Sequence, residues 1–196
     1  MDPIILASSS PRRQEILQRL NIPFIVHPSN IEETVSPTLS PKEIPEHLAC
    51  CKVNAVVRQL GLTQEIGWVL GADTVICSGG KIYGKPKNRE EAFTMLKKFQ
   101  GHTHEVITGL VLYNGNIHDI TTRTNVNKVT FNTMSDEEIA WYISTGEWHD
   151  AAGSYRIQGF ASCFIKKISG SESGVMGLPI FELYDMLREQ GYRILR

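Results

Sequence analysis

Long hydrophobic runs are missing from this chain. The longest, Val106 to Tyr113, is broken by Thr108 and Gly109 and falls far short of the ~20 apolar residues a helix needs to cross a bilayer. The start, Met1-Asp2-Pro3, has no basic cluster, and Ile4 to Ala7 is too short for a secretory core, so a cytoplasmic protein is expected. Cysteine is scarce: Cys50, Cys51, Cys77 and Cys163 form no C-x-x-C pair. That argues against a disulfide framework or a zinc site and leaves reduced thiols, mostly as core filler. Excess charge of one sign is lacking too. Twenty Lys and Arg stand against twenty-one Asp and Glu, so neither nucleic acid nor an acidic membrane is attracted by the chain as a whole, and any anion site must be local. The glycine-rich phosphate loops G-x-x-x-x-G-K-[ST] and G-x-G-x-x-G are absent, which argues against P-loop and dinucleotide-binding folds.

What is present reads as an ordinary globular protein. Apolar and charged fractions of 41% and 21% exclude disorder, collagen and coiled coil, and 196 residues can bury one core without staples. No repeat, linker or low-complexity tract divides the chain, so residues 1 to 196 are expected to form one α/β unit. Ile4 to Ala7 reads as a strand, and Ser10-Pro11 caps a helix running to about Asn21. Phe24 to Val26 is the next strand. Ser40-Pro41-Lys42-Glu43 is a capping box opening a helix to about Leu60, with an apolar stripe of Ile44, Leu48, Cys51 and Ala55. Trp68 to Cys77 and Lys81 to Tyr83 flank a glycine turn, and Asn88 caps a helix with a core face of Phe93, Leu96 and Phe99. Val106 to Tyr113 and Ile117 to Phe131 pair through Asn114-Gly115, a strong hairpin signal. Ser135 to Glu138 is a second capping box; a strand at Cys163 to Ile168 and a helix from Pro179 to Gln190 follow. Strands alternating with helices, plus two hairpins, predict an α/β fold with a mixed, curved sheet and helices on its flanks.

The candidate chemistry starts at Ser8-Ser9-Ser10-Pro11-Arg12-Arg13. A strand ending in hydroxyl residues at a helix N-terminus presents backbone N–H groups and a positive dipole end, and two arginine forks added there make a phosphate cradle. The plainer alternative is a capped surface helix with two solvated arginines. Asp73 interrupts an apolar, doubly buried strand, and a buried carboxylate is costly unless paired or metal-bound. It therefore reads as a base or metal ligand, or else as a structural Asp closing a turn or pairing with an internal arginine. Lys85, held extended by Pro86, can reach a phosphate. Lys52, beside the helix stripe, can lean into a cleft. Either lysine alone is commonly a solvated charge, and Glu33 in its polar loop carries equally little weight alone. The glycine-punctuated segment from Gly146 to Gly159 has the character of a functional loop. Its Gln158 suits a base edge, while Trp148 and Tyr155 read as core. His102 and His104 share a strand face as a candidate metal pair, with an edge-strand surface pair the favoured reading.

Together, Ser8 to Arg13, Glu33, Lys52, Gly71-Ala72-Asp73-Thr74, Lys85-Pro86, Ala152 to Gly159 and Gly177-Leu178-Pro179 resemble, in order, the Maf family of nucleoside triphosphate pyrophosphatases. The resemblance implies two lobes around a nucleotide cleft, as in inosine triphosphatases, and a divalent cation (Mg, Mn or Co) that supports hydrolysis to a nucleoside monophosphate and pyrophosphate. Arg12, Thr74 and Gln158 look like the specificity set of the branch acting on dTTP and UTP, with removal of non-standard pyrimidine nucleotides as a further use. On the same resemblance Asp73 is the proton acceptor, Asp73 and Glu33 place the metal, Lys52 joins them in the catalytic group, and Ser8, Arg13 and Lys85 hold the triphosphate. The partner implied is the nucleotide itself, with no nucleic acid or membrane, and a homodimer is admitted. The sequence Glu172-Ser173-Gly174 departs from relatives that carry Asn there. The rival reading is a non-catalytic nucleotide-binding regulator of septum formation.

Overall fold

Short apolar runs punctuated by turn residues become β1 (Ile4–Leu6), β2 (Phe24–Val26), β3 (Trp68–Ser78), β4 (Lys81–Tyr83), β5 (Thr103–Asn114), β6 (Asp119–Phe131) and β7 (Ile165–Ser169). In this computed structural model, which describes residues 1–61 and 65–194, they form one seven-stranded sheet in the order β2-β1-β3-β5-β6-β7, with β4 on β3. β1 is parallel to β2 and β3, whereas β3–β4 and β6–β7 are antiparallel; the sheet is mixed, as expected. The helices are α1 (Pro11–Arg19), α2 (Glu43–Leu60), α3 (Arg89–Phe99), α4 (Asp136–Ser144), α5 (Glu172–Met176) and α6 (Ile180–Glu189). Among the described residues, no helix is long and apolar enough to cross a membrane. The chain divides into two compact units. One comprises Met1–Asp73, Thr108–Asn125 and Gly177–Arg196, the other Thr74–Ile107 and Val126–Met176.

In the first unit, Ile5, Ala7, Ala49, Val53, Val56, Val69 and Val111 form a core cluster. The buried face of α2 is Pro45, Leu48, Ala49, Lys52, Val53 and Val56, which shares only Leu48 with the stripe the sequence suggests. The reason is close backbone approach. A Cβ on Gly71 would lie 2.5 Å from Val53 Cγ2 and 2.9 Å from the Ala49 carbonyl, and one on Gly109 would lie 2.3 Å from the Glu46 nitrogen. The helix turns the face that fits against these two glycines, and Lys52 rides on it. The helix also begins at Glu43 rather than at Pro41, with Glu43 Oε2 accepting a 2.8 Å bond from the Ser40 N–H as half of the expected capping box. Ser10 stands at the N-cap of α1 but its side chain makes no cap bond. The Asn114-Gly115 turn is not a two-residue hairpin, since residues 115–118 connect β5 to β6 and the positive φ falls on His118. Gly115 instead serves a close approach: its N–H donates to Gly67 O at 2.7 Å, and a Cβ there would lie 1.7 Å from Ile66 O.

The second unit packs Ile76, Leu96, Phe99, Val129, Phe131 and Tyr142 around Tyr155. Its caps are those expected: Asn88 Oδ1 accepts from the Glu91 N–H, and Ser135 with Glu138 completes a capping box. Gly79 and Gly80, at φ 57° and 75°, make the two-residue turn between β3 and β4. The predicted strand at Cys163 splits into a 3-10 turn (Phe160–Phe164) followed by β7, and the five-residue α5 was not foreseen. The cysteines are free as expected, but not core filler: three are half-buried and Cys163 is exposed.

His104 corrects the surface-pair reading. β5 lies between β3 and β6 rather than at an edge, and His104 is 1% exposed. Its Nε2 sits 2.8 Å from Tyr155 Oη, between the rings of Phe99 and Phe131. Burial pulls its pKa down to about 4, so the unfolded chain takes up the proton first as pH falls. Stability from this site is complete above the unfolded pKa near 6.5 and is lost as pH falls toward 4, on the order of 3 kcal/mol in all. Urea titrations at pH 7, 5.5 and 4 check this. His104→Leu is expected to flatten that part of the profile, and an unchanged slope would remove His104 as its source.

Candidate active site

β1 and β3 run parallel with Leu6 opposite Leu70, so β1 ends while β3 runs on to Ser78, and the carboxyl end of β1, the usual place for a ligand site in an α/β sheet, lies beside the middle of β3. Ser8 follows β1 by two residues and Asp73 lies three beyond Leu70. α1 then turns Arg13 inward. Its Nη1 donates to Ser8 Oγ at 2.9 Å and its Nε to Gly177 O at 2.8 Å, which locks a buried guanidinium in one orientation. Burial pulls Arg13 below its ordinary pKa; the nearby charge of Asp73 opposes this, that of Arg12 adds to it, and Glu33 opposes it. Arg12, half-buried, is thus a charged neighbour of Arg13.

Lys52 reaches from α2 between two carboxylates, 2.5 Å from Asp73 Oδ1 and 2.7 Å from Glu33 Oε1. The side chains of Lys52 and Asp73 are 11% and 10% exposed, whereas Glu33 at 52% stands at the rim. A buried ammonium requires such pairing, because desolvating it alone costs several kcal/mol. The unit therefore brings together Ser8, Arg12, Arg13, Glu33, Lys52 and Asp73: three cations against two carboxylates, a set with positive surplus for an anion and a carboxylate for a proton. Asp73 lies within β3 and is paired with a lysine, where the structural alternative had it closing a turn or pairing with an arginine; a paired carboxylate of this kind serves a structural role as well as that of a base or metal ligand.

The other three sequence candidates belong to the second unit. Thr74 is half-buried on β3, and Gln158 is exposed within the segment from Gly146 to Gly159. Lys85 Nζ lies 3.5 Å from Asp150 Oδ1 with both side chains exposed. The same segment holds Tyr155 in the core, as expected, with Trp148 half-buried against it, and Arg156 Nη2 donates to His149 O.

Gly177 was quoted in the sequence motif without a role, yet its carbonyl orients Arg13. Its φ of 101° is a conformation that glycine adopts readily and L side chains do not; a glycine before Leu-Pro was the signal available. The partner of Lys85, Asp150, likewise carried no sign beyond its place in the loop.

For a metal, the donor set is one of hard oxygens. Asp73 Oδ1 and Glu33 Oε1 are spent on Lys52, and among the described residues no hydrogen bond reaches the second oxygen of either carboxylate. No cluster of three or more His, Cys, Asp or Glu with metal-holding geometry occurs among the described residues. Two carboxylates, completed by oxygens of a bound anion and water, suit a hard divalent cation such as Mg or Mn.

A family model described as "Maf-like protein" matches residues 3–190. Over 196 residues the chain is 41% identical to the dTTP/UTP pyrophosphatase of Caldicellulosiruptor saccharolyticus, covering all of this chain and 98% of that one. It is 42% identical to the dTTP/UTP pyrophosphatase of Pyrococcus furiosus, with 100% and 99% covered. Among solved structures, the Staphylococcus aureus Ham1 protein matches 66% of this chain and 72% of its own at 13% identity, with a TM-score of 0.47.

Proposed function

The chain belongs to the Maf family, and on that premise we infer that it is a dTTP/UTP pyrophosphatase, a hydrolase releasing the nucleoside monophosphate and pyrophosphate. The observation that supports the reaction in this chain is the buried Lys52 between Asp73 and Glu33, beside Arg13. A protein that only binds nucleotide gains little from carboxylates next to a polyphosphate, which disfavours the regulator reading.

In the proposed mechanism, Asp73 accepts the proton of the water that attacks the α-phosphorus, with Glu33 orienting that water. Lys52, already desolvated, meets the negative charge that grows on the phosphate oxygens. The Arg13 fork, preset by Ser8 and Gly177, grips the phosphates without ordering cost at the moment of binding. Asp73 and Glu33 would hold the divalent cation, which when bound makes water more acidic and neutralises the leaving pyrophosphate. Thr74, Gln158 and Arg12 are assigned to base recognition and Lys85 to the phosphates. The same reading takes all 196 residues as one functional domain, cytoplasmic and working on free nucleotide, with a homodimer to be checked by sedimentation.

The test is product analysis over a panel of nucleoside triphosphates with Mg or Mn. Pyrophosphate and monophosphate are expected from dTTP and UTP ahead of the purine nucleotides. Orthophosphate with a diphosphate product would overturn the assignment.

A further inference from the structure

Lys52 can serve the reaction only if α2 holds it at one station on the sheet, and part of that hold is apolar: Ala49, Val53 and Val56 of α2 pack with Ile5, Ala7, Val69 and Val111. Where the helix crosses Gly109 and Gly71 it meets backbone with no Cβ. These contacts set how close the helix lies, and apolar packing of this kind is non-directional.

One side chain adds a directional restraint to this packing. Glu46, half-buried on the first turns of α2, accepts a hydrogen bond at Oε1 from Thr122 Oγ1 (2.9 Å) and at Oε2 from Thr124 Oγ1 (2.7 Å). These threonines are two apart on β6 and so share a face of the strand. The alternate residues are tied elsewhere: Arg123 Nη2 to Glu189 at 2.5 Å and Asp185 at 3.3 Å, and Asn125 Nδ2 to Glu182 at 2.6 Å, all on α6. The strand segment is thereby fixed independently of α2, and the carboxylate of Glu46 refers the helix to it. Lys52 lies six residues further along, about 9 Å of helix.

We propose that Glu46 is a positioning residue for Lys52: held by Thr122 and Thr124, it fixes the station of α2 and with it the place where Lys52 meets Asp73. This rests on the reading of Lys52 as part of the catalytic group. With ammonium contacts of 2.5 and 2.7 Å, a slip of about 1 Å separates the groups, a displacement that can cost about a hundredfold in rate.

The experiment compares Glu46→Ala, Glu46→Gln and Lys52→Ala, singly and combined, for kcat and KM with dTTP, together with acetic anhydride labelling of Lys52 read by mass spectrometry. Glu46→Ala is expected to lower kcat about tenfold or more with KM within about threefold, and to cost less than about twofold once Lys52 is alanine, because coupled residues are not additive. Labelling of Lys52 is expected to rise several-fold over wild type. Glu46→Gln, whose amide can accept from one threonine and donate to the other, is expected to retain most of the rate. Should Glu46→Ala fail to fold, Thr124→Val removes one restraint and is measured in its place. Unchanged labelling of Lys52, or an equal kcat loss in the Lys52→Ala background, would overturn the proposal. Absence of pyrophosphate release from the wild type would instead overturn the enzymatic reading, and the labelling comparison stands apart from that outcome.

Discussion

Replacing Asp73 by asparagine is expected to lower kcat for dTTP at least about a hundredfold, near the lower bound for loss of a general base, while the protein stays folded and still binds nucleotide. The fold is expected to survive because Lys52 keeps Glu33 at 2.7 Å, and an asparagine oxygen can accept the bond that Asp73 Oδ1 now takes. Basicity and cation affinity are what the amide removes. Melting temperature, nucleotide affinity and turnover on one preparation separate the cases. A lowered melting temperature with near-normal kcat would make Asp73 a strand buttress and move the base role to Glu33.

The second large effect belongs to Arg13. Arg13→Ala removes both preset bonds, to Ser8 Oγ and to Gly177 O, and takes a cation from the anion site. Hydrogen bonds to a charged group are worth about 1.5–3 kcal/mol each, so kcat/KM for the triphosphate is expected to fall by about a hundredfold. Arg13→Lys is expected to recover little, because one ammonium cannot reproduce the planar fork. Steady-state kinetics for both variants check this, and kinetics equal to wild type would remove Arg13 from the site.

Much of this was legible in the sequence because local chemistry and tertiary structure agree. Asn88 and Ser135 cap helices by bonds within one turn, and Gly79-Gly80 makes its hairpin from its own φ values. The candidates Ser8, Arg13, Glu33, Lys52 and Asp73 likewise converge. What failed depended on contacts distant in sequence. The face of α2 was misread because Gly71 and Gly109 select it from strands met later in the chain. His104 looked exposed because alternation cannot reveal that β5 acquires neighbours on both sides. Gly115 looked like a turn former although its missing side chain serves Ile66 and Gly67. Gly177 gave no hint that it ends 164 residues away against Arg13.

The two glycines under α2 differ in what genetics could do with them. At Gly71 the nearest obstacle to a new methyl is the Val53 side chain, although the Ala49 carbonyl stands close behind. Trimming Val53 to alanine therefore offers a second-site change that partly suppresses a Gly71→Ala defect. At Gly109 the three nearest obstacles are main-chain atoms of Pro45 and Glu46, and main chain cannot be trimmed by any codon change. A lesion there has no single compensating partner, and revertants of a Gly109 mutant would be expected to arise mainly at codon 109 itself.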